Sequence, residues 1–497
     1  MRFRLLLVLA ALIAFGGALW APFQFDDFSL LADPSLDSPS GWRHAFDPLQ
    51  TRPLTFLTFW ANVQVSHEPW TFHLFSLALH LLAVWLIGGV LLELLPRRAA
   101  YVAAALFAVH PLQTEAVVYV FARATLLAAV LCLLSLQLWL GGRRWAAAAA
   151  FCFALLAKEE VAAFPLVLAL LEWSTSRKRI VLAPLSTMLA LAAAAGARAA
   201  WAASSIAGSG AGAQAGIGSF DYFSYQGVAI LRYLWLALAP LGLTVDAEVR
   251  TSPLAAALAW GVISVVALLC WRAFRAAQPG FWILSGLVLL LPSSSVFPAA
   301  DLSADRRMYL PLLCFAAAFG LVLRRGSKWL LWGYAVALCV LSVAQTRVWQ
   351  DPHQLWLEAA RQAPGKIRPK RQLARILPPG EALQLLEEAR HLAPDDADIA
   401  ADLGIAHMRA GRPAQALAEF GRALALDPAS ASAVHNRGLA LLLLGQRDAA
   451  IADFRRALEK NPCLFDARLN LARLGEPLPA GGACRWTAAQ QRAISAP

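Results

Sequence analysis

Two aspartates, Asp26 and Asp27, stand side by side directly after the first apolar stretch, at the head of a polar loop that runs to about Glu68. Paired carboxylates there are candidates for acid–base chemistry at a membrane surface. A charge at the bilayer centre costs at least roughly 2.5 to 3.5 kcal/mol, and a carboxylate at the water boundary far less. More charged and polar groups recur where later apolar runs break: Arg52 before Pro53, the run His110-Pro111-Leu112-Gln113-Thr114-Glu115, Arg123, Lys158-Glu159-Glu160 and Asp305-Arg306-Arg307. A cavity gathering two carboxylates and several cations at the lipid boundary suits an anionic lipid phosphate as leaving group and a neutral hydroxyl as nucleophile. One carboxylate takes the hydroxyl proton as general base. Arg and Lys neutralise the phosphate as charge develops on it.

Asp26 and Asp27 are therefore the catalytic candidates. Arg52, His110, Glu115, Arg123, Lys158, Glu159, Arg306 and Arg307 are candidates to hold the carrier phosphate or the acceptor. Each has a structural alternative. The aspartates can cap a helix, Glu115 and Arg123 can form a polar pair on one helix face, Lys158 and Glu159 can neutralise each other at a hairpin tip, and Arg306 and Arg307 can be interfacial anchors. A divalent ion on Asp26, Asp27 or Glu115 stays open. His73 and His80, two turns apart on one helix face, read as packing or hydrogen-bonding groups, because no further His or Cys completes a metal site.

These groups need a membrane body to position them. The chain has 497 residues, 59% hydrophobic and 15% charged, with mean hydropathy +0.56, too apolar for a soluble domain and too long for one span. The net charge of +11 comes largely from arginines in short loops, where they act as topology signals rather than as a nucleic-acid footprint. Runs near 5–22, 71–95, 99–110, 122–141, 144–157, 160–173, 180–201, 254–274, 280–292, 308–323 and 328–346 give about eleven spans. The opening run reads as a retained first span. The run 222–244 is expected on the outer surface, with Arg232 and Tyr233 in the headgroups. Arg2/Arg4, Arg97/Arg98, Arg143/Arg144, Arg177-Lys178-Arg179, Arg272/Arg275 and Arg324/Arg325/Lys328 then all lie in the cytoplasm. The outer face receives the aspartate loop, 110–123, Lys158-Glu159-Glu160, 202–253, 293–307 and everything after about residue 347.

Cys132, Cys152, Cys270, Cys314 and Cys339 fall in apolar segments and read as small buried hydrophobes. Cys463 and Cys484 are a candidate disulfide if their region is extracytoplasmic.

From Trp349 the composition turns amphipathic, and Pro394, Pro428 and Pro462 recur 34 residues apart, the period of tetratricopeptide helix pairs. Leu403, Gly404, Gly411, Ala416, Phe420 and Ala423 fall on the expected small and apolar positions of the first full unit, and the second has Gly438, Gly445, Ala450, Phe454 and Ala457. The resulting fold class is all-α: a multispan membrane domain over 1–346, a linker and degenerate repeat over 347–380 in which Pro378-Pro379-Gly380 interrupts a helix, repeats over 381–474 and a flexible tail over 475–497. The repeat groove is expected to bind a protein partner.

In this order, FDD, RPLTFLTFWANVQ, FHLFSLALHLL, ALFAVHPLQTEAVVYVFARATLLA, LLAKEE and SSSVFPAADLSADRRMYLP, followed by the repeats, resemble the transmembrane and tetratricopeptide-repeat O-mannosyltransferases and their bacterial relatives, within the GT-C superfamily. The resemblance implies transfer of a sugar, mannose, from a polyprenyl-phosphate carrier to Ser/Thr hydroxyls of an exported protein on the outer face of a bacterial inner membrane, with the amino terminus cytoplasmic and the repeats extracytoplasmic. It implies Asp26 or Asp27 as the catalytic acid residue, Asp27 being chosen first without a physical reason, and Arg123, Lys158, Arg306 and Arg307 as phosphate contacts. The alternatives are a non-catalytic scaffold for an envelope or secretion complex, or a transferase acting on a lipid or glycan.

Overall fold

The computed structural model describes all residues except 176–181, 207–210, 213–214, 276–277, 296, 480–483, 485, 487–489, 491–492 and 495–497. The Arg177-Lys178-Arg179 cluster lies outside the described residues. Among these residues the chain is helical, with one isolated bridge between Ala211 and Ala299 and no strand. It divides into two compact units, Met1–Pro352 and His353–Pro497.

Among the described residues of the first unit, seven helices are long and apolar enough to cross a bilayer: Arg2–Trp20, Pro69–Leu94, Val120–Leu140, Leu182–Ser205, Pro253–Arg272, Asp305–Leu323 and Lys328–Gln350. Arg97–Val109 and Pro111–Val118 make an eighth if taken together, bent by 48°. The bend follows from Pro111, which brings no amide hydrogen and drives the residue before it out of the helical region. His110 is accordingly extended (φ −79°, ψ 130°), and its Nδ1 accepts from the Leu112 amide at 3.2 Å. The eleven spans expected are thus matched by seven or eight long helices. Arg144–Ala157 and Pro279–Leu290 are apolar but shorter, and the run at 160–173 starts as a 3-10 turn, Glu159–Ala163, before the helix Phe164–Thr175.

Close helix contacts use small residues. A methyl group at Gly320 would lie 2.5 Å from the Ala99 carbonyl oxygen, so Tyr309–Leu323 reaches Arg97–Val109 only because that position has no side chain.

The segment expected on the membrane surface forms the helix Ser219–Leu238, and the headgroup placement of Arg232 and Tyr233 is corrected. Tyr233 is fully buried, its hydroxyl accepting from the Ala304 amide at 2.9 Å. Arg232 donates to Asp305 Oδ1 at 2.6 Å, and Gln226 Nε2 donates to the Leu302 carbonyl at 2.9 Å. Buried polar groups require partners, and here one helix face supplies them to the loop that carries Arg306 and Arg307.

The second unit stacks antiparallel helix pairs, with Ala397–Arg409 and Pro413–Leu426 followed by Ala431–Leu443 and Arg447–Lys460. Phe420 and Phe454 are fully buried. Each ring occupies the space left by a glycine on the preceding helix: a methyl group at Gly404 would lie 2.5 Å from Phe420 Cε1, and one at Gly438 2.8 Å from Phe454 Cε1. Pro378-Pro379-Gly380 does not interrupt a helix. It forms the turn between Ile367–Ile376 and Pro379–Leu392, with Pro379 at the first helical position, where no amide partner is lost. The described part of the expected flexible tail is tied down: Cys484 is disulfide-bonded to Cys463, Arg468 donates to the Pro479 carbonyl at 3.0 Å, and its guanidinium lies 5.2 Å from the Trp486 ring.

Because the Phe420 ring fills a gap no neighbour can close, Phe420→Ala is expected to destabilise the repeat unit by about 3–5 kcal/mol. Limited proteolysis of the full chain should then cut within 397–460 at a temperature at which the parent chain resists.

Candidate active site

The first helix gives way to a 3-10 turn, Gly16–Trp20, and the chain re-enters a helix at Asp26–Leu31 with both aspartates in its first turn, where the helix dipole favours negative charge. The two carboxylates have different surroundings. Asp27 is 1% exposed, and both oxygens are engaged: Oδ2 accepts from the Gln24 amide at 3.0 Å and Oδ1 from the Phe121 amide at 2.8 Å. Burial pushes its pKa up to about 7, against the lowering effect of those amides and with a further push from the Asp26 charge. Asp26 is only half-buried. Its Oδ2 accepts from the Tyr119 hydroxyl at 2.7 Å, and its amide donates back to that hydroxyl at 3.2 Å.

Tyr119 is the residue that sequence reasoning missed. It is buried, its ring lies 5.8 Å from Trp349, and the Arg306 guanidinium lies 5.9 Å from the ring centre. It therefore links the aspartate doublet to the cations. Its position midway between Glu115 and Arg123, inside the most distinctive motif, was the available signal.

The cations come from three separate stretches. Arg52 forks onto Glu159, with Nε to Oε2 at 3.0 Å and Nη2 to Oε1 at 2.6 Å. The Glu159 charge raises the Arg52 pKa, with burial opposing. Burial acts to raise that of Glu159, but the Arg52 charge and hydrogen bonds outweigh it and hold the carboxyl below its ordinary range. Lys158 pairs with Glu160, not with its neighbour Glu159, and donates to Thr125 Oγ1 at 2.9 Å. Burial lowers the Lys158 pKa, the Glu160 charge opposes this, and the charges of Arg52 and Arg306 add to the lowering. Arg52, Lys158 and Arg306 thus share one electrostatic field.

Arg306 is bonded to Glu115 through both its side chain and its amide, the latter at 2.9 Å to Oε2, and to Asp301 Oδ2 at 2.9 Å. Arg307 differs from the others. Its guanidinium donates to neutral oxygens, the Asp301 carbonyl at 2.6 Å and the Leu302 carbonyl and Tyr222 hydroxyl at 3.4 Å each. Among the described residues it forms no salt bridge, although the Glu160 charge acts on it.

Two expected contacts lie elsewhere. Arg123 is fully buried, hydrogen-bonded to the carbonyls of Thr58 and Phe72 and to Asn62 Oδ1. Its guanidinium is surrounded by the rings of Phe59, Phe75 and Phe72 at 4.3, 4.7 and 5.4 Å. An arginine engaged by carbonyls and ring faces presents no open edge to a phosphate, and its place in the expected phosphate set is corrected to a structural one. His110 is likewise buried, capping the 111–113 turn and contacting the Ala237 carbonyl at 3.2 Å. The suggested metal ligands do not fit a cation site. Glu115 is neutralised by Arg306, Asp27 is engaged by two amides, and the described residues hold no group of three His, Cys, Asp or Glu suited to a metal. His80 hydrogen-bonds to the Tyr309 hydroxyl at 2.8 Å, inside the helix packing.

Comparison with known proteins finds a repeat family and a set of relatives. The tetratricopeptide-repeat profile matches residues 379–431 and 401–463. The chain is also similar to Protein O-mannosyl-transferase Tmtc2 of Drosophila melanogaster, 36% identical over 152 residues, which are 27% of this chain and 16% of that protein. Against Protein O-mannosyl-transferase TMTC3 of Mus musculus it is 34% identical over 140 residues, 25% of this chain and 15% of that protein. Against Protein O-mannosyl-transferase TMTC4 of Homo sapiens it is 35% identical over 156 residues, 25% and 21%. The resemblance drawn from the motifs is thereby borne out over about a quarter of the chain. The matched stretches span only 15 to 21% of the length of these relatives. The crystal structure of MamA matches 24% of this chain and 73% of its own at 21% identity and a TM-score of 0.23.

The Asp27 environment makes a pH prediction. Its native pKa, about 7, lies above the ordinary carboxyl value of 3.8, so between those values the folded protein holds a proton that the unfolded chain has released. The contribution of this group to stability is full below about pH 4 and is lost as pH rises through about 7. Asp27→Asn should flatten that part of the slope when melting temperature is measured against pH, and an unchanged slope would refute the assignment.

Proposed function

We propose that this chain is a membrane glycosyltransferase that moves a sugar, mannose in our reading, from a polyprenyl-phosphate carrier to Ser/Thr hydroxyls of an exported protein, at the outer face of a bacterial inner membrane. The reading is carried by one observation: Asp26, half-buried and held by Tyr119, is linked through the Tyr119 ring to Arg306, the sequence neighbour of Arg307. The names of the relatives support the transferase class, and the Cys463–Cys484 disulfide supports an oxidising compartment for the repeats.

Of the two aspartates, Asp26 is the base in this reading. Asp27 is 1% exposed and held by two backbone amides, whereas Asp26 is only half-buried. The acceptor hydroxyl gives its proton to Asp26 while its oxygen forms a bond to the anomeric carbon. The bond from that carbon to the phosphate oxygen breaks, and the carrier phosphate leaves with the electron pair. Arg307, bonded only to neutral oxygens, takes the developing charge. Arg52, Lys158 and Arg306 set the surrounding field, and their carboxylate partners keep them from binding the donor so tightly that the ground state gains as much as the transition state. Asp27 fixes the loop against 120–121, and Tyr119 aims Asp26. The repeats present the acceptor segment, as grooves of this kind hold peptides.

Purified full-length chain supplied with polyprenyl-phosphate mannose and a Ser/Thr peptide tests this reading. Asp26→Asn should lower kcat by about 10²- to 10⁴-fold, the range of a lost general base. Arg307→Gln should lower it by roughly 10²-fold or more, as for a lost oxyanion donor. Tyr119→Phe removes a hydrogen bond to the ionised carboxylate, so the acid limb of the kcat/KM profile should move to higher pH while KM changes little. Full activity in the Asp26→Asn variant would remove the transferase mechanism.

A further inference from the structure

A polar cavity of about 700 Å³ opens at the far end of the membrane unit from the aspartate site, lined by Trp173, Trp271, Phe274, Arg272, Arg275 and Gln278 among others. Its place follows from chain direction. The helix Phe164–Thr175 starts directly after the Lys158–Ala163 turn of the first site and carries Trp173 away from it by roughly 14 Å at 1.5 Å per residue. Trp271 and Arg272 end the apolar helix Pro253–Arg272. The cavity therefore lies at the mouth of spanning helices, where indole rings and arginines meet lipid headgroups.

The lining has the chemistry of an anion site. Among the described residues no Asp or Glu lines the cavity, and neither Arg272 nor Arg275 forms an ion pair. Both arginines are exposed. The helix Pro279–Leu290 begins here, with Gln278 as its N-cap, so its first-turn amides add to the positive field. The carbonyl ends of Phe164–Thr175 and Pro253–Arg272 oppose this field and favour the placement of Arg272, so the anion is held chiefly by guanidinium groups. The remaining wall is aromatic. Trp173 lies 4.9 Å from Trp271 and 5.6 Å from Phe274, and Trp271 lies 5.3 Å from Phe274, between ring centres. A soluble anion gains nothing from these rings, whereas the glycerol and upper acyl carbons of a lipid pack against them.

We propose that this cavity binds the phosphate headgroup of an anionic phospholipid of the phosphatidylglycerol class, with Arg272 and Arg275 on the phosphate and the Trp173, Trp271 and Phe274 rings against the glycerol backbone. The assignment is independent of the transferase reading. Two guanidinium groups, each at the strength typical of a basic residue beside anionic lipid, give about a 30-fold preference over a neutral pocket.

Native mass spectrometry of the full chain in detergent, titrated with phosphatidylglycerol, tests it. The parent chain should retain one lipid, Arg272→Gln with Arg275→Gln should bind it about 30-fold more weakly, and Arg324→Gln with Arg325→Gln should bind as the parent does. Where the double variant does not fold, Arg275→Gln alone, beyond the end of its helix, should weaken binding about fivefold. Undiminished binding in the folded variants, equal weakening in the Arg324/Arg325 pair, or equal retention of phosphatidylcholine would overturn the proposal. Displacement of the lipid by inorganic phosphate at equal concentration would make the cavity a free-anion site and overturn the lipid assignment.

Discussion

Charges placed where water gives way to lipid need partners, and that requirement organises the membrane unit. Taking a carboxylate or guanidinium out of water costs several kcal/mol even after relaxation, and several charges near the aspartate doublet are matched by groups from distant stretches of chain. Arg52 meets Glu159 across 107 residues, and Arg306 meets Glu115 across 191. Arg232 on its helix meets Asp305 beside Arg306. The pairs that close the fold are therefore the groups that surround the reactive space. Loss of one member leaves the other buried and uncompensated, which costs more than the pair contributes. Arg307 escapes direct pairing because carbonyl and hydroxyl oxygens satisfy its donors, with the Glu160 charge acting on it without a hydrogen bond.

The segment between His110 and Arg123 shows how one short irregular stretch serves several of these pairings. Backbone that leaves the helix at membrane depth is tolerated only where its polar groups find protein or water, and here they do. His110 caps the turn after the break, Glu115 holds Arg306, Tyr119 holds Asp26, the Phe121 amide holds Asp27, and Arg123 locks the next helix onto Thr58, Asn62 and Phe72. A regular helix would have directed these groups around its whole circumference. The proline-induced bend and the two 3-10 turns, Pro111–Gln113 and Val120–Ala122, place them against different neighbours instead.

Much of this was legible in the sequence where a signal is periodic or local. The 34-residue recurrence of proline located the repeats, and apolar runs of sufficient length located most long helices. The residues of the site were also visible as types, because charges interrupting apolar runs need a reason. Their pairing was not visible. Lys158 and Glu159 read as a self-neutralising pair, yet Lys158 pairs with Glu160 and Glu159 with Arg52, since extended backbone at Lys158 (φ −159°, ψ 127°) sends adjacent side chains to opposite sides. Tyr119 was hidden because a tyrosine in an apolar run resembles an interfacial anchor. Arg123 was misjudged because an arginine near acids suggests a phosphate contact, and nothing local reveals that three phenylalanines enclose it.

Why two aspartates stand in succession follows from the turn that precedes them. Phe25 has φ +49° and ψ −112° and is the single non-glycine residue with positive φ among the described residues. Such a backbone costs on the order of 1–3 kcal/mol and persists where the surroundings over-determine it. Here the flanking aromatic rings do so, with Phe23 edge-on to Phe72 at 5.4 Å and Phe25 6.4 Å from Tyr119. The strained turn starts a helix at Asp26, and successive side chains on a helix diverge by about 100°. One carboxylate is thereby directed inward, onto the amides of Gln24 and Phe121, and the other sideways, onto the Tyr119 hydroxyl. Asp27, 1% exposed and held by two backbone amides, anchors the loop. The inward carboxylate thus ties the strained turn to the backbone at Phe121, while its half-buried neighbour is held by the Tyr119 hydroxyl.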